Sequence, residues 1–194
     1  MEKSWHRFYD KGVPFEIDPP EDPLHRQLEK AARDFPQVTA TEFVGSRLSY
    51  QQLADQVSRF AASLSQLGVK PGDRVAIMLP NCPQTVISYY AVLSIGGVAV
   101  MTNPMYVERE MIHQFNDAGV KVLVGLDHLF PRIDKVWKET QVQHLVITSI
   151  RDYLPFPLNL LYPLKAKKQS LNMKVPYSGS IHSFKGLVKN SPGN

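Results

Sequence analysis

The chain has 194 residues, 43% of them hydrophobic, with a formal net charge of +4 and a single cysteine. That size buries a substantial core as one domain or one large subdomain, and no run is long and apolar enough to span a bilayer. Lone Cys82 excludes an internal disulfide, and Met1-Glu-Lys-Ser-Trp-His-Arg7 lacks the apolar core of a signal peptide, so the expectation is a cytoplasmic protein.

The charge is unevenly spread. Residues 151–194 hold seven Lys/Arg against one acid, Asp152, whereas the first 150 hold fifteen against seventeen. The basic balance belongs to the tail, and the slightly acidic body argues against nucleic-acid binding.

Residues 1–21 carry Trp5, Phe8, Tyr9, Phe15 and Pro19-Pro20, which suits an extended arm packed on a surface. Asp22 with Pro23 can start a first helix, whose apolar positions Leu24, Leu28, Ala31, Ala32 and Phe35 recur at helical spacing before Pro36. Thr39–Val44 and Arg47–Ser49 flank Gly45-Ser46 and predict a β-hairpin. Ser49-Tyr-Gln-Gln52 is a capping box, and Tyr50, Leu53, Ala54, Val57, Phe60, Ala61, Leu64 and Leu67 then follow a 3.6-residue period up to Gly68.

From there one unit recurs. Strands are predicted at Arg74–Met78, Val98–Met101, Lys121–Val124 and His144–Thr148, with helices at about Cys82–Ile95, Val107–Ala118 and His128–Thr140 between them. Strands alternating with amphipathic helices predict an α/β fold with a largely parallel sheet. The continuous apolar strands place helices on both faces. After Ile150 the pattern breaks. Tyr153-Leu-Pro-Phe-Pro-Leu-Asn-Leu-Leu-Tyr-Pro-Leu164 has three prolines and is read as no single regular helix. The remainder is read as loop apart from an apolar patch at Ile181–Val188. The expected organisation is an arm (1–21), an α/β subdomain (22–150) and a basic Pro/Leu-rich region (151–194) leading to a second subdomain.

Ligands bind beyond the carboxyl ends of the strands in open α/β sheets, which selects Pro80-Asn81, Thr102-Asn103-Pro104 and Gly125-Leu126-Asp127. Asn81-Cys-Pro-Gln84 has capping-box spacing, so Asn81 is read as a helix cap. Pro104 forces Asn103 into an extended backbone and turns the chain after its strand. His6, His25, His113, His128, His144 and His182 show no second ligand at helical or turn spacing, so no metal site is expected. No Ser-His-Asp or paired-carboxylate arrangement stands out, and no catalytic residue is assigned. Tyr177-Ser-Gly-Ser180 with Lys185 is rejected as a phosphate loop, because Ile181, His182 and Phe184 would crowd the anion.

The order Gly72-Asp-Arg-Val-Ala-Ile-Met-Leu-Pro-Asn81, a helix, then Gly96-Gly-Val-Ala-Val-Met-Thr-Asn-Pro104 resembles the N-terminal part of the acyl-adenylate-forming (AMP-binding) enzymes. Leu48-Ser-Tyr-Gln-Gln-Leu-Ala54, Gly68-Val-Lys-Pro-Gly-Asp73 and the Tyr153-Leu-Pro segment make it most similar to the long-chain fatty acid–CoA ligases. The resemblance implies a two-step reaction: ATP and a fatty acid give an acyl-adenylate and pyrophosphate, and the CoA thiol then forms the thioester. It implies ATP, Mg²⁺ and CoA for the full enzyme and none bound by this part alone, since the Gly-Thr-Thr-Gly phosphate loop, the aromatic-Gly-Glu motif and the C-terminal lysine have no counterpart here. Asn103-Pro104-Met-Tyr106 resembles the family's Asn-Pro-Leu-Tyr-Thr and places Asn103, Pro104 and Tyr106 at the edge of an acyl tunnel. Val107 stands where the family offers a Thr cap. Arg132, with Lys135, is the candidate for the CoA phosphates.

The Leu-rich, Lys-flanked stretch 153–168 suits either docking on a further part of the enzyme or peripheral contact with the inner face of a membrane, and a homodimer is left open. Alternatives are an aryl-CoA ligase, a peptide-synthetase adenylation domain, or a non-catalytic α/β nucleotide-binding or interaction module.

Overall fold

The computed structural model describes residues 3–169, 171 and 174–191; the loop reading of 192–194 and the first two residues of the N-terminus lie outside them. Among the described residues no helix is long and apolar enough to cross a membrane.

The arm does not lie extended on the body. It turns through a short 3₁₀ segment, His6–Phe8, and folds around His6, whose ring stacks on Phe15 at 4.5 Å with Trp5 edge-on. Helix α1 spans Leu24–Asp34 with Pro23 as its N-cap, one residue later than the sequence suggests. Strands β1 (Thr39–Phe43) and β2 (Ser46–Ser49) form the antiparallel hairpin. Its turn is Val44-Gly45, with φ of +50° and +83°, rather than Gly45-Ser46. Two consecutive positive φ values match the right-handed strand twist, which explains the shift.

Helix α2 (Tyr50–Gln66) opens on the expected box: Ser49 Oγ accepts from the Gln52 amide at 3.3 Å and Gln52 Oε1 from the Ser49 amide at 2.9 Å. Its periodic face buries Leu53, Val57, Phe60, Ala61 and Leu64.

The main sheet contains β3 (Arg74–Met78), β4 (Val98–Met101), β5 (Val120–Leu126), β6 (His144–Thr148) and β7 (Ile181–Ser183). Its order is β4-β3-β5-β6-β7, with every pair parallel. Helices α3 (Pro83–Ser94), α4 (Glu108–Ala118) and α5 (Phe130–Val136) make the crossovers. The chain steps from β3 outward to β4 and then back over β3 to β5. Successive right-handed crossovers therefore lie on opposite faces. Helix α2 packs with α1 and α3, while α4 packs with α5. The central strands lose water on both sides, so Val75–Met78, Val122–Val124 and Leu145–Val146 are fully buried. Gly119 closes α4 in the left-handed region at φ +61°, and a Cβ there would strike the Arg74 guanidinium.

The segment 151–194 departs most from expectation. Three prolines do prevent a single helix across 153–164, but α6 (Leu158–Lys168) forms with Pro163 inside it. The Leu160 and Leu161 amides both bond Pro157 O, so the first turn is secured before Pro163 removes one donor. The apolar patch set apart at Ile181–Val188 is two elements: β7 extends the sheet and α7 (Phe184–Asn190) packs on α2.

Candidate functional site

In a sheet of this order the ligand crevice lies beyond the carboxyl ends of the strands where the winding reverses, here between β3 and β5. Four loops meet that edge, one after each of β3, β4, β5 and β6.

After β3 the chain reaches Cys82, which is the N-cap of α3, with Pro83 at the first helical position. Asn81 is therefore exposed and one residue too early to cap. Proline fixes the helix start and has no amide to receive a cap. Gln84 does not reach back either. Fully buried, it donates through Nε2 to Thr148 Oγ1 at 3.2 Å and to Ser149 O at 3.0 Å, tying α3 to the end of β6. Cys82 Sγ lies 3.3 Å from Thr85 Oγ1, and burial pushes the thiol pKa up. A buried, neutral thiol is a packing group rather than a nucleophile. With the hairpin residues Thr41–Phe43, Asn81, Cys82 and Val86 line a hollow of about 320 Å³.

After β5, Asp127 is almost fully buried and its Oδ1 accepts from the His128 amide at 2.8 Å. Its negative charge reaches Tyr162 and Tyr177, whose phenol pKa values are raised first by burial and then by that carboxylate. After β6, the turn Ile150–Tyr153 presents Tyr153, which donates to Gln56 Oε1 on α2. Burial and the neighbouring Asp152 charge hold that phenol neutral.

The residues assigned from sequence to the acyl tunnel and to CoA are brought together. Arg132 Nη1 donates to Tyr106 O at 2.9 Å, so α5 grips the turn that contains Asn103, Pro104 and Tyr106. Within that turn Asn103 Oδ1 accepts from the Met105 amide at 2.9 Å, and the Tyr106 amide bonds Asn103 O at 3.1 Å. Val107 caps nothing with its side chain, but Glu110 compensates by accepting from the Val107 amide at 2.8 Å. Arg132 faces a shallow hollow of about 430 Å³ shared with Val107, Glu108 and Arg109, and Lys135 pairs with Glu108 at 3.0 Å.

The Tyr177–Ser180 stretch turns the chain into β7. Amides of Ser178 and Ile181 bond each other's carbonyls at 3.0 and 3.2 Å, which leaves neither facing outward for a phosphate. At the opposite, amino edge His144 Nδ1 and His182 Nε2 approach to 3.2 Å, a pairing invisible to linear spacing.

The AMP-binding enzyme family model matches residues 28–179. The chain belongs to that family. It is 43% identical over 188 residues to a long-chain-fatty-acid–CoA ligase of Bacillus subtilis (strain 168), covering 97% of this chain and 33% of that protein. A long-chain-fatty-acid–CoA ligase of Yersinia pestis is 37% identical over 156 residues, or 79% of this chain and 28% of its own length. Among solved structures, a long-chain-fatty-acid-CoA ligase (FadD1) from Archaeoglobus fulgidus superimposes with a TM-score of 0.70 at 21% identity, covering 95% of this chain and 33% of that one. The chain thus spans about a third of the length of the curated relatives it matches. Among the described residues no three His, Cys, Asp or Glu side chains converge.

Sequence reasoning misses Gln84 and Tyr153 as the ties that fix this edge of the sheet. The one local signal is a polar residue directly after Pro83 at a helix start, whose spacing from Asn81 suits a cap equally well.

Proposed function

We propose that the chain is the N-terminal part of a long-chain fatty acid–CoA ligase, an acid–thiol ligase using ATP and CoA. The single observation that carries this is the 43% identity over nearly the whole chain to the Bacillus subtilis ligase. In this reading the arm 1–21, the body 22–150 and the lead-out 151–194 precede a second subdomain, with β7 of the lead-out shared in the main sheet. The sheet edge forms one wall of the site. Asn103, Pro104 and Tyr106 stand at the edge of the acyl tunnel, where the rigid Asn103 turn supports a fixed wall. Arg132 meets CoA phosphate from the adjoining hollow, which its position beside Arg109 supports. ATP handling and any Mg²⁺ belong to residues beyond this chain. A cytoplasmic location, with the basic tail side at the membrane, completes the reading.

ATP–pyrophosphate exchange tests it in the full-length protein. Exchange should depend on a long-chain acid such as palmitate and fail with benzoate or amino acids. Exchange driven by an aryl or amino acid instead would replace this reading. The isolated chain should give none.

A further inference from the structure

His144 opens β6 and His182 lies at the centre of β7. The two strands pair in parallel with His182 opposite Val146, two residues on from His144. Side chains alternate along a strand, so both histidines stand on one face of the sheet, diagonal across the pair. Their facing nitrogens, His144 Nδ1 and His182 Nε2, are 3.2 Å apart, and both rings are half-buried.

That separation is at the long end for a hydrogen bond. It matches a shared ion more closely, since two nitrogens each about 2.05 Å from a tetrahedral metal stand about 3.3 Å apart. Imidazole suits late first-row divalent ions such as Zn²⁺, Ni²⁺ and Cu²⁺, whereas Mg²⁺ takes oxygen donors. His182 also lines a hollow of about 350 Å³ with Gln66, Ser183 and Asn190, which gives an ion an entry path. The Lys121 ammonium acts on His144, but Asp73 Oδ2 pairs with it at 2.8 Å and offsets its charge. Among the described residues no third His, Cys, Asp or Glu joins the pair, so water completes the shell and the ion is exchangeable.

We propose that His144 and His182 bind one late first-row divalent ion of the Zn²⁺ class and so pin β7 to β6 at the sheet edge opposite the ligand crevice. Both rings coordinate as neutral imidazoles. In the metal-free chain the facing nitrogens share a single proton. On binding, that proton moves to the far nitrogen of its own ring, so each ring keeps one N–H and none is released. The site does not depend on the ligase reading above.

Full-length protein stripped with EDTA and then given ZnCl₂ at pH 7.5 tests this, with MgCl₂ as the control. Zn²⁺ should raise the unfolding temperature, Mg²⁺ should not, and EDTA should reverse the rise. His144→Gln with His182→Gln should bind one Zn²⁺ equivalent fewer than wild type, and either single variant should lose at least about tenfold in affinity. Diethyl pyrocarbonate labelling read by peptide mass spectrometry needs no variant. Zn²⁺ should protect His144 and His182 and leave the exposed His113 reactive. Three results each overturn the proposal and leave the pair a hydrogen bond only: no Zn²⁺-dependent rise, unchanged Zn²⁺ stoichiometry in the double variant, or equal labelling of His144 and His182 with and without the ion. Where the double variant does not fold, the labelling decides.

Discussion

The rings of Phe60 and Phe184 lie 4.6 Å apart between centroids, tilted by 46°, and both are fully buried. One belongs to the long second helix and the other to the last helix of the chain, so the final segment is part of the core. Ser63 reinforces the same junction by donating to Leu187 O at 3.0 Å. Removing a buried Phe loses its transfer free energy and leaves a cavity. Phe184→Ala should therefore destabilise the full-length protein by about 3–5 kcal/mol. Phe156→Ala, at a largely exposed ring, should leave the unfolding midpoint unchanged. Equal midpoints for the two variants would show that α7 does not pack as described.

Val44 holds a positive φ of +50° at the hairpin turn, and its side chain is 57% exposed. A β-branched residue in the left-handed region costs roughly 1–3 kcal/mol, and a side chain this exposed gains little burial to offset it. Asn tolerates this region and is favoured in such turns. Val44→Asn should raise stability by about 1 kcal/mol in chemical denaturation; no gain, or a loss, would contradict the turn geometry.

These two sites mark what a linear reading can reach. The Ser49–Gln52 box, α2 and the strands β3 to β6 are legible because their signals are local: a cap three residues from its partner, and an apolar period sustained over a whole element. Val44 and Gly45 are shifted by one residue because the identity of Gly45 is plain while the register of the strands is not. The three residues of β7 are too few to show a period, and only pairing with β6 defines them. Helix α6 hides behind Pro163. At the strand ends, Arg132 bonds Tyr106 O and the Tyr106 amide bonds Asn103 O, so the residues picked from sequence adjoin. The bonds that hold the edge, Gln84 to Thr148 and Tyr153 to Gln56, join residues 64 and 97 positions apart, which no local pattern encodes.

His144 and His182 share a contact that admits one proton between their rings. Burial lowers both pKa values; Lys121 adds to the shift at His144, and His144 to that at His182. A depressed histidine pKa means that the unfolded chain, titrating near 6.5, takes up protons before the folded one does. The pair contributes no pH dependence above that value, and stability falls as pH drops from 6.5 toward the folded pKa values. The denaturation midpoint should thus decline between pH 7.5 and 5.5, and His144→Gln with His182→Gln should flatten that slope. A double variant that keeps the wild-type slope would assign the titration elsewhere.

Arg132 separates a positioning role from a ligand role. Its bond to Tyr106 O predicts that Arg132→Ala loosens the turn carrying Asn103 and Pro104 and moves the KM for the fatty acid. The CoA assignment predicts something more specific. Losing a charge-assisted bond to phosphate is worth about 1.5–3 kcal/mol, so the apparent KM for CoA should rise roughly ten- to a hundredfold while ATP–pyrophosphate exchange keeps its rate. Arg132→Lys should restore part of the CoA affinity, since an ammonium keeps the charge but not the planar fork. A KM for CoA unchanged in Arg132→Ala would confine this side chain to holding the turn.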